Sequence, residues 1–181
     1  MQSARRQFAP TEVISFGLAV GSGLGLTGWI WDDLEHMRLV EIGVAWAHLL
    51  MTIGLFVALA GLVVVLSRSA GRPLTYLGFG VGFALAFVHP LAGRALWLIL
   101  PLAGVWLALR SGNRQFALAC LGPAVVLVGG IVDIFWHQAN PGAVEANMLL
   151  LPGHAIELAG WTLGLVGSLI AWARSGQTAT A

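Results

Sequence analysis

Residues 49–66 have the sequence LLMTIGLFVALAGLVVVL, eighteen consecutive residues without a charged side chain. This length and composition are typical of a helix that crosses a lipid bilayer, because about 20 helical residues span the hydrocarbon core. The rest of the chain is similar: of 181 residues, 58% are hydrophobic and 9% are charged, whereas about a quarter are charged in soluble domains. The sequence therefore predicts an integral membrane protein in contact with lipid, with no basic patch for nucleic acid.

Apolar segments divide the chain into six parts. They cover about residues 13–31, 39–66, 74–89, 92–109, 115–136 and 147–173. We predict an all-α, polytopic membrane protein, a six-helix transmembrane bundle formed by residues 1–174 as one domain, followed by a polar C-terminal tail at 175–181. The third segment is short and ends at His89-Pro90, so the third and fourth could instead form a tight helical hairpin, or one of them could enter the bilayer without fully crossing it.

Arginine supplies every basic residue, and its distribution predicts the orientation of the chain. Seven arginines flank the helix ends on one side of the proposed bundle, and two lie on the other side. The first set is Arg5, Arg6, Arg68, Arg72, Arg110, Arg114 and Arg174, and the second is Arg38 and Arg94. By the positive-inside rule, both termini are cytoplasmic in a bacterial-type inner membrane, and all five histidines lie toward the outer, periplasmic face.

One polar pattern occurs twice. In each copy a histidine follows an aspartate by four residues, and glycines lie six and thirteen residues beyond a second histidine. The residues are Asp32, His36 and His48 in the first copy and Asp133, His137 and His154 in the second. Since the copies fall on helices one and two and on helices five and six, we predict a parallel duplicated hairpin with both polar clusters at one membrane face.

The second copy combines side chains that bind transition metals. Asp133 and His137 are one helical turn apart, so both can bind one ion, or the carboxylate can orient an imidazole that binds it. His154, after Leu-Pro-Gly, would face them across the hairpin as a third ligand. Glu157 lies one turn further on, and we expect it to be a fourth ligand, a proton carrier or a hydrogen-bond acceptor for His154. Structural anchoring of helix ends and a proton- or quinone-related role are the alternatives for this cluster.

The first copy is looser, because Met51 stands where the second copy has Glu157. Asp32, His36 and His48 repeat the triad and are predicted as metal ligands as well. Methionine could be a soft ligand for copper or part of the helix packing. The alternatives for this copy are a degenerate relic, or a lid that supplies supporting groups to the other copy.

The order Asp133, His137 and His154 resembles the membrane copper site of the C subunit of particulate methane and ammonia monooxygenases, and the first copy has spacing closer to that pattern. The segment Asp133-Ile-Phe-Trp-His137 followed by Leu151-Pro-Gly-His154 is also similar to a pattern in uncharacterised small bacterial membrane proteins. The resemblance covers one helix hairpin at a time, and the longer gap to His154 departs from it. The resemblance implies copper rather than zinc and an outer-face site, but it does not extend to oxygenase activity.

Two classes of function follow. The first is a metal-binding membrane protein, with copper favoured and zinc as an alternative, that handles the ion or houses it in a larger oxidase- or oxygenase-type complex. The second is a non-catalytic membrane subunit that binds partner helices, or one in which His48 and His154 ligate a b-type haem. Either would assemble as a homo-oligomer or as a subunit of a membrane complex. Whether the protein is an enzyme stays open.

Overall fold

A computed structural model describes residues 12–37, 44–69, 72–141 and 151–178. Across these ranges the regular structure consists of six α-helices, which confirms the all-α prediction. They are α1 (Glu12–Met37), α2 (Val44–Ser69), α3 (Arg72–Val88), α4 (Pro90–Arg110), α5 (Arg114–Ala139) and α6 (Pro152–Thr178).

Five of these helices are long and apolar enough to cross a membrane, so the prediction of a multi-pass membrane protein is confirmed. The exception is α3, which has 17 residues and an apolar stretch limited to Thr75–Ala86. Because a bilayer core about 30 Å thick needs about 20 helical residues, α3 is short for a complete crossing. The count of six spans stays a prediction.

One residue separates α3 from α4. The Nδ1 atom of His89 accepts a hydrogen bond from the backbone N–H of Ala92 at 3.3 Å, so the imidazole caps α4. Pro90 suits the first helical position because its missing N–H would have no partner in the helix. His89 therefore stabilises the start of α4 at the turn between two helices.

Neighbouring helices in the sequence form the largest contacts, with α1 packed on α2 and α5 packed on α6. These two hairpins also meet through α1 and α6, and α4 packs against α5. A buried core of aliphatic and aromatic side chains lies between the helices, with Leu59, Leu62 and Phe116 fully enclosed. The two hairpins that carry the polar pattern therefore lie side by side.

The last helix runs further than its apolar segment. The candidate span ends at Ser175, but α6 continues to Thr178, inside the predicted polar tail. A helix can extend beyond the hydrocarbon layer because its polar side chains are then hydrated. Residues 179–181 lie outside the described part of the chain.

Candidate metal centre

The second copy of the polar pattern comes together where α5 and α6 approach each other. Oδ1 of Asp133 lies 3.1 Å from Nε2 of His154 and 3.5 Å from Nε2 of His137. One ligand atom from each of these three side chains lies within 4.8 Å of the other two. Two turns of separate helices thus present one carboxylate and two imidazoles to a common point.

Gly153 explains how His154 reaches the aspartate. A Cβ atom on Gly153 would lie 2.6 Å from the Cβ, 2.7 Å from the Cα and 2.8 Å from the backbone nitrogen of Asp133. No side chain fits in that space, so glycine allows the first turn of α6 to contact α5 directly. Pro152 begins the helix one residue earlier, which is a favourable position for proline.

The three side chains differ in how far they are exposed. His154 is 9% exposed, Asp133 is 22% exposed and His137 is 43% exposed. The cluster is therefore enclosed on the α6 side and open beside His137. A metal site with protein ligands on one side and an accessible position on the other can bind an exchangeable ligand.

A cavity of about 330 Å³ borders the cluster. The ionisable side chains on its wall come from four helices. They are His48, Arg94, Asp133, His137, His154 and Glu157. Met51, Leu55 and Trp161 are among its apolar neighbours. Polar groups from distant parts of the sequence thus line one cavity of the helix bundle.

Glu157 borders this cavity without belonging to the set of three mutually close ligand atoms. Its carboxylate lies beside Gly130: a Cβ on that glycine would be 2.9 Å from Oε1 of Glu157 and 2.7 Å from Nη1 of Arg94. The same Nη1 donates a hydrogen bond to the carbonyl oxygen of Gly130. Opposite charges placed this closely reduce the cost of burying each of them within a span. The fourth-ligand role for Glu157 stays a prediction.

Arg94 is the cavity residue that sequence reasoning missed, because it was used only as a marker of membrane orientation. Its position offered a signal. The residue lies four positions into an apolar helix, where a charged side chain is expensive unless it pairs or lines a polar cavity. The same rule that singled out Glu157 therefore also applied to Arg94.

The first copy contributes to the same cavity through His48. Oδ1 of Asp32 lies 3.6 Å from Nδ1 of His48, and the aspartate is only 1% exposed while the histidine is 56% exposed. Met51, one turn after His48, borders the cavity as well. The side chain of His36 lies outside the described part of the structure, so its predicted ligand role stays a prediction.

Comparison with known proteins finds limited similarity. No protein-family model matches the chain, and no solved structure matches it. The chain is 34% identical over 144 residues to a protein of Xanthomonas campestris pv. juglandis described as "Probable quinate dehydrogenase (quinone)". That similarity covers 68% of this chain but only 17% of the length of the relative.

Proposed function

We propose that the protein binds a transition metal ion in the membrane through Asp133, His137 and His154, with copper favoured. The centre would serve in metal handling or as the metal-bearing part of a larger oxidase- or oxygenase-type complex. The main support for this proposal is that three ligand atoms from two helices lie within 4.8 Å of one another. Imidazole and carboxylate ligands suit copper, iron and zinc.

The distances within the cluster support this proposal. Ligand atoms bound about 2 Å from one ion in tetrahedral geometry are separated from each other by about 3.3 Å. The two measured separations from Oδ1 of Asp133, 3.1 Å to His154 and 3.5 Å to His137, lie on either side of that value. Two of the three separations between ligand atoms are therefore already those of a metal site, and the third is below 4.8 Å.

We further propose that the two hairpins are copies of one ancestral unit. In both hairpins, a Cβ on the glycine four residues before the aspartate would meet the same two backbone atoms at 2.8 Å. In the first hairpin, a Cβ on Gly28 would meet the carbonyl oxygen of Ala47 and the backbone nitrogen of Met51. In the second hairpin, a Cβ on Gly129 would meet the carbonyl oxygen of Gly153 and the backbone nitrogen of Glu157, which are the residues at the equivalent positions.

A second level of contact repeats seven residues earlier along the first helix of each hairpin. A Cβ on Gly21 would lie 2.7 Å from the carbonyl oxygen of Gly54 and 2.7 Å from the backbone nitrogen of Ala58. A Cβ on Gly122 would lie 2.9 Å from the carbonyl oxygen of Gly160 and 2.4 Å from the backbone nitrogen of Gly164. Chance matches between glycine-rich sequences would not reproduce backbone contacts at two levels, which supports a parallel repeat.

The proposed orientation has cytoplasmic termini in a bacterial-type inner membrane and the metal cluster toward the periplasm. Its support is the arginine distribution, together with the position of the cluster along α5. Asp133 lies nineteen residues after Arg114 on one helix, which places them about 29 Å apart along the helix axis. That distance is close to the thickness of the hydrocarbon core. The cluster therefore lies near the membrane face opposite Arg114.

Metal analysis of the purified protein tests the proposed function. We expect the wild type, loaded with copper or zinc in detergent and dialysed, to retain metal that an Asp133→Asn, His154→Gln double variant loses. A His89→Asn variant is the control, because it changes a histidine outside the cavity and keeps a capping side chain. A metal-free wild type, or a double variant with unchanged metal content, would contradict the proposal. An intense Soret band would instead support the haem alternative.

A quinone-binding role is a second candidate, favoured by an apolar chamber of about 230 Å³ next to the cavity. Thr52, Leu55 and Arg94 border both spaces. The chamber is lined by aromatic rings, and Phe56 lies edge-on to Phe83 and to Trp97 with ring centroids 5.2 and 5.3 Å apart. A flat ring could bind there with an oxygen atom directed toward Arg94.

The second support for this candidate is the name of the Xanthomonas relative, "Probable quinate dehydrogenase (quinone)", which contains the word quinone. Adding a short-chain ubiquinone analogue to the purified protein should quench tryptophan fluorescence with saturation. An Arg94→Leu variant should bind it at least tenfold more weakly, because the cationic hydrogen-bond donor is lost. Linear, non-saturating quenching that is equal in both proteins would contradict quinone binding.

A further inference from the structure

We propose that the cavity holds a second metal ion, bound by Asp32, His48 and Met51, so that the two hairpins together form one two-ion centre. This inference rests on the proposed function, since it assumes that the Asp133 cluster binds the first ion. It assigns the first copy of the polar pattern a ligand role of its own, through His48 and Met51, which line the same cavity as the second copy, and through Asp32, which pairs with His48.

The position of His48 separates the two ions. Its side chain borders the cavity, yet its ring nitrogens are not among the ligand atoms that lie within 4.8 Å of one another. His48 is therefore not placed in this structure as a fourth ligand of an ion held by the Asp133 cluster. Because His48 lines the same cavity but lies outside the group of Asp133, His137 and His154, it marks a second position for an ion in that cavity.

The separation between His48 and Asp32 is similar to the separations within the first ion site. Nδ1 of His48 lies 3.6 Å from Oδ1 of Asp32, close to the 3.5 Å between His137 and Asp133. Both values are near the separation of about 3.3 Å expected for two ligands of one ion. The carboxylate and imidazole of the first hairpin are therefore placed as a ligand pair.

Met51 supplies the third donor. It lies three residues after His48 on α2, so both side chains point toward the same side of the helix. It also borders the cavity and is partly buried. Oxygen, nitrogen and thioether sulfur form a softer set than the oxygen and two nitrogens of the other copy, which favours copper over zinc at this position.

Charge balance in the bundle supports two cations. The described acidic groups at the cavity or paired to its wall are Asp32, Asp133 and Glu157, and the guanidinium is that of Arg94. Three carboxylates inside membrane-spanning helices exceed one permanent positive charge. Buried carboxylates are costly unless cations are near, and one Cu(I) ion beside each aspartate would balance the excess of two negative charges.

Counting ions in the full-length protein tests the inference. Wild type, a His48→Gln, Met51→Leu variant and a His137→Gln, His154→Gln variant are dialysed against Cu(II) in detergent and analysed for copper and protein. We expect two ions per chain in the wild type and one in each variant, with two retained in the His89→Asn control. One ion in the wild type, retained in the His48→Gln, Met51→Leu variant, would overturn the second site and leave the proposed function standing. A wild type that binds none would overturn both.

Electron paramagnetic resonance gives an independent readout on the same samples. Two Cu(II) ions in one cavity interact magnetically, so the wild type should show a broadened or diminished signal for its copper content. Each double variant should show the sharp signal of an isolated ion. Equal signals per copper in all three proteins would overturn a shared two-ion centre. Met51→Leu conserves side-chain volume and His48 is largely exposed, so monodispersity and helical circular dichroism should match the wild type.

Discussion

Replacing Gly153 by alanine tests whether the close approach of α5 and α6 builds the proposed metal centre. The new Cβ would lie 2.6 Å from the Cβ of Asp133, whereas ordinary contact begins at 3.4 Å. Relief of this overlap requires α6 to move away from α5 by about 1 Å, since close-packed helices have no spare volume. His154, the next residue, would move with its helix and leave its position 3.1 Å from Asp133.

A shift of this size exceeds what metal coordination tolerates, because ligand distances in metal sites vary by only about 0.2 Å. We expect Gly153→Ala to weaken copper binding by at least about tenfold, in the range seen when groups that orient metal ligands are removed. The overlap should also lower the free energy of unfolding by about 1–3 kcal/mol. Competition with a chelator of known affinity measures the binding, and thermal unfolding in detergent measures the stability.

Gly17→Ala is the matched control, because a Cβ on Gly17 meets no atom within 4 Å. In a helix interior that change should stabilise the protein by about 0.5–1 kcal/mol, and it should leave copper affinity unchanged. If Gly153→Ala bound copper as tightly as Gly17→Ala and the wild type, the argument that helix contact positions His154 would be refuted.

Three other changes test particular contacts. Gly130→Ala would place a Cβ 2.7 Å from Nη1 of Arg94 and 2.9 Å from Oε1 of Glu157. Because both are ends of flexible side chains that can shift, we expect a smaller loss in thermal unfolding than for Gly153→Ala, whose Cβ would meet backbone atoms; an equal or larger loss would contradict this. His89→Ala removes the hydrogen bond to the first turn of α4 and should cost about 0.5–1 kcal/mol, while His89→Asn should recover most of it; equal midpoints for both would rule out a capping role. Cys120 is fully buried, so a maleimide should modify it only after unfolding, and rapid labelling of the folded protein would show that the core is open there.

The buried polar groups have a cost that the fold must offset. Charged side chains within membrane-spanning helices are unfavourable unless they pair or line a cavity. Here Asp133 pairs with two histidines, Asp32 pairs with His48, and Arg94 lies beside a carboxylate. Such an arrangement is poorly explained by packing alone, because apolar residues of similar size would be less costly in the same places.

Local properties of the chain were predictable from the sequence. The apolar segments indicated the helices, since hydrophobicity and length determine which segments enter a bilayer. The spacing of Asp133 and His137 indicated that both side chains project from one face of α5, because helix periodicity places residues four apart together. Both features depend only on residues close in sequence, so no knowledge of packing was needed.

Contacts between helices required the tertiary structure. The sequence alone determined a membrane protein with helices that carry a repeated Asp/His pattern, because composition and periodicity act over one or two helical turns. The contact of His154 with Asp133 across the hairpin agrees with the sequence prediction, whereas only the packing of the helices decided that His48 shares their cavity and that Arg94 lies beside Glu157. The physical reason is that these encounters depend on which backbones approach closely, and glycines such as Gly153 and Gly130 permit that approach without revealing in sequence which partner helix they face.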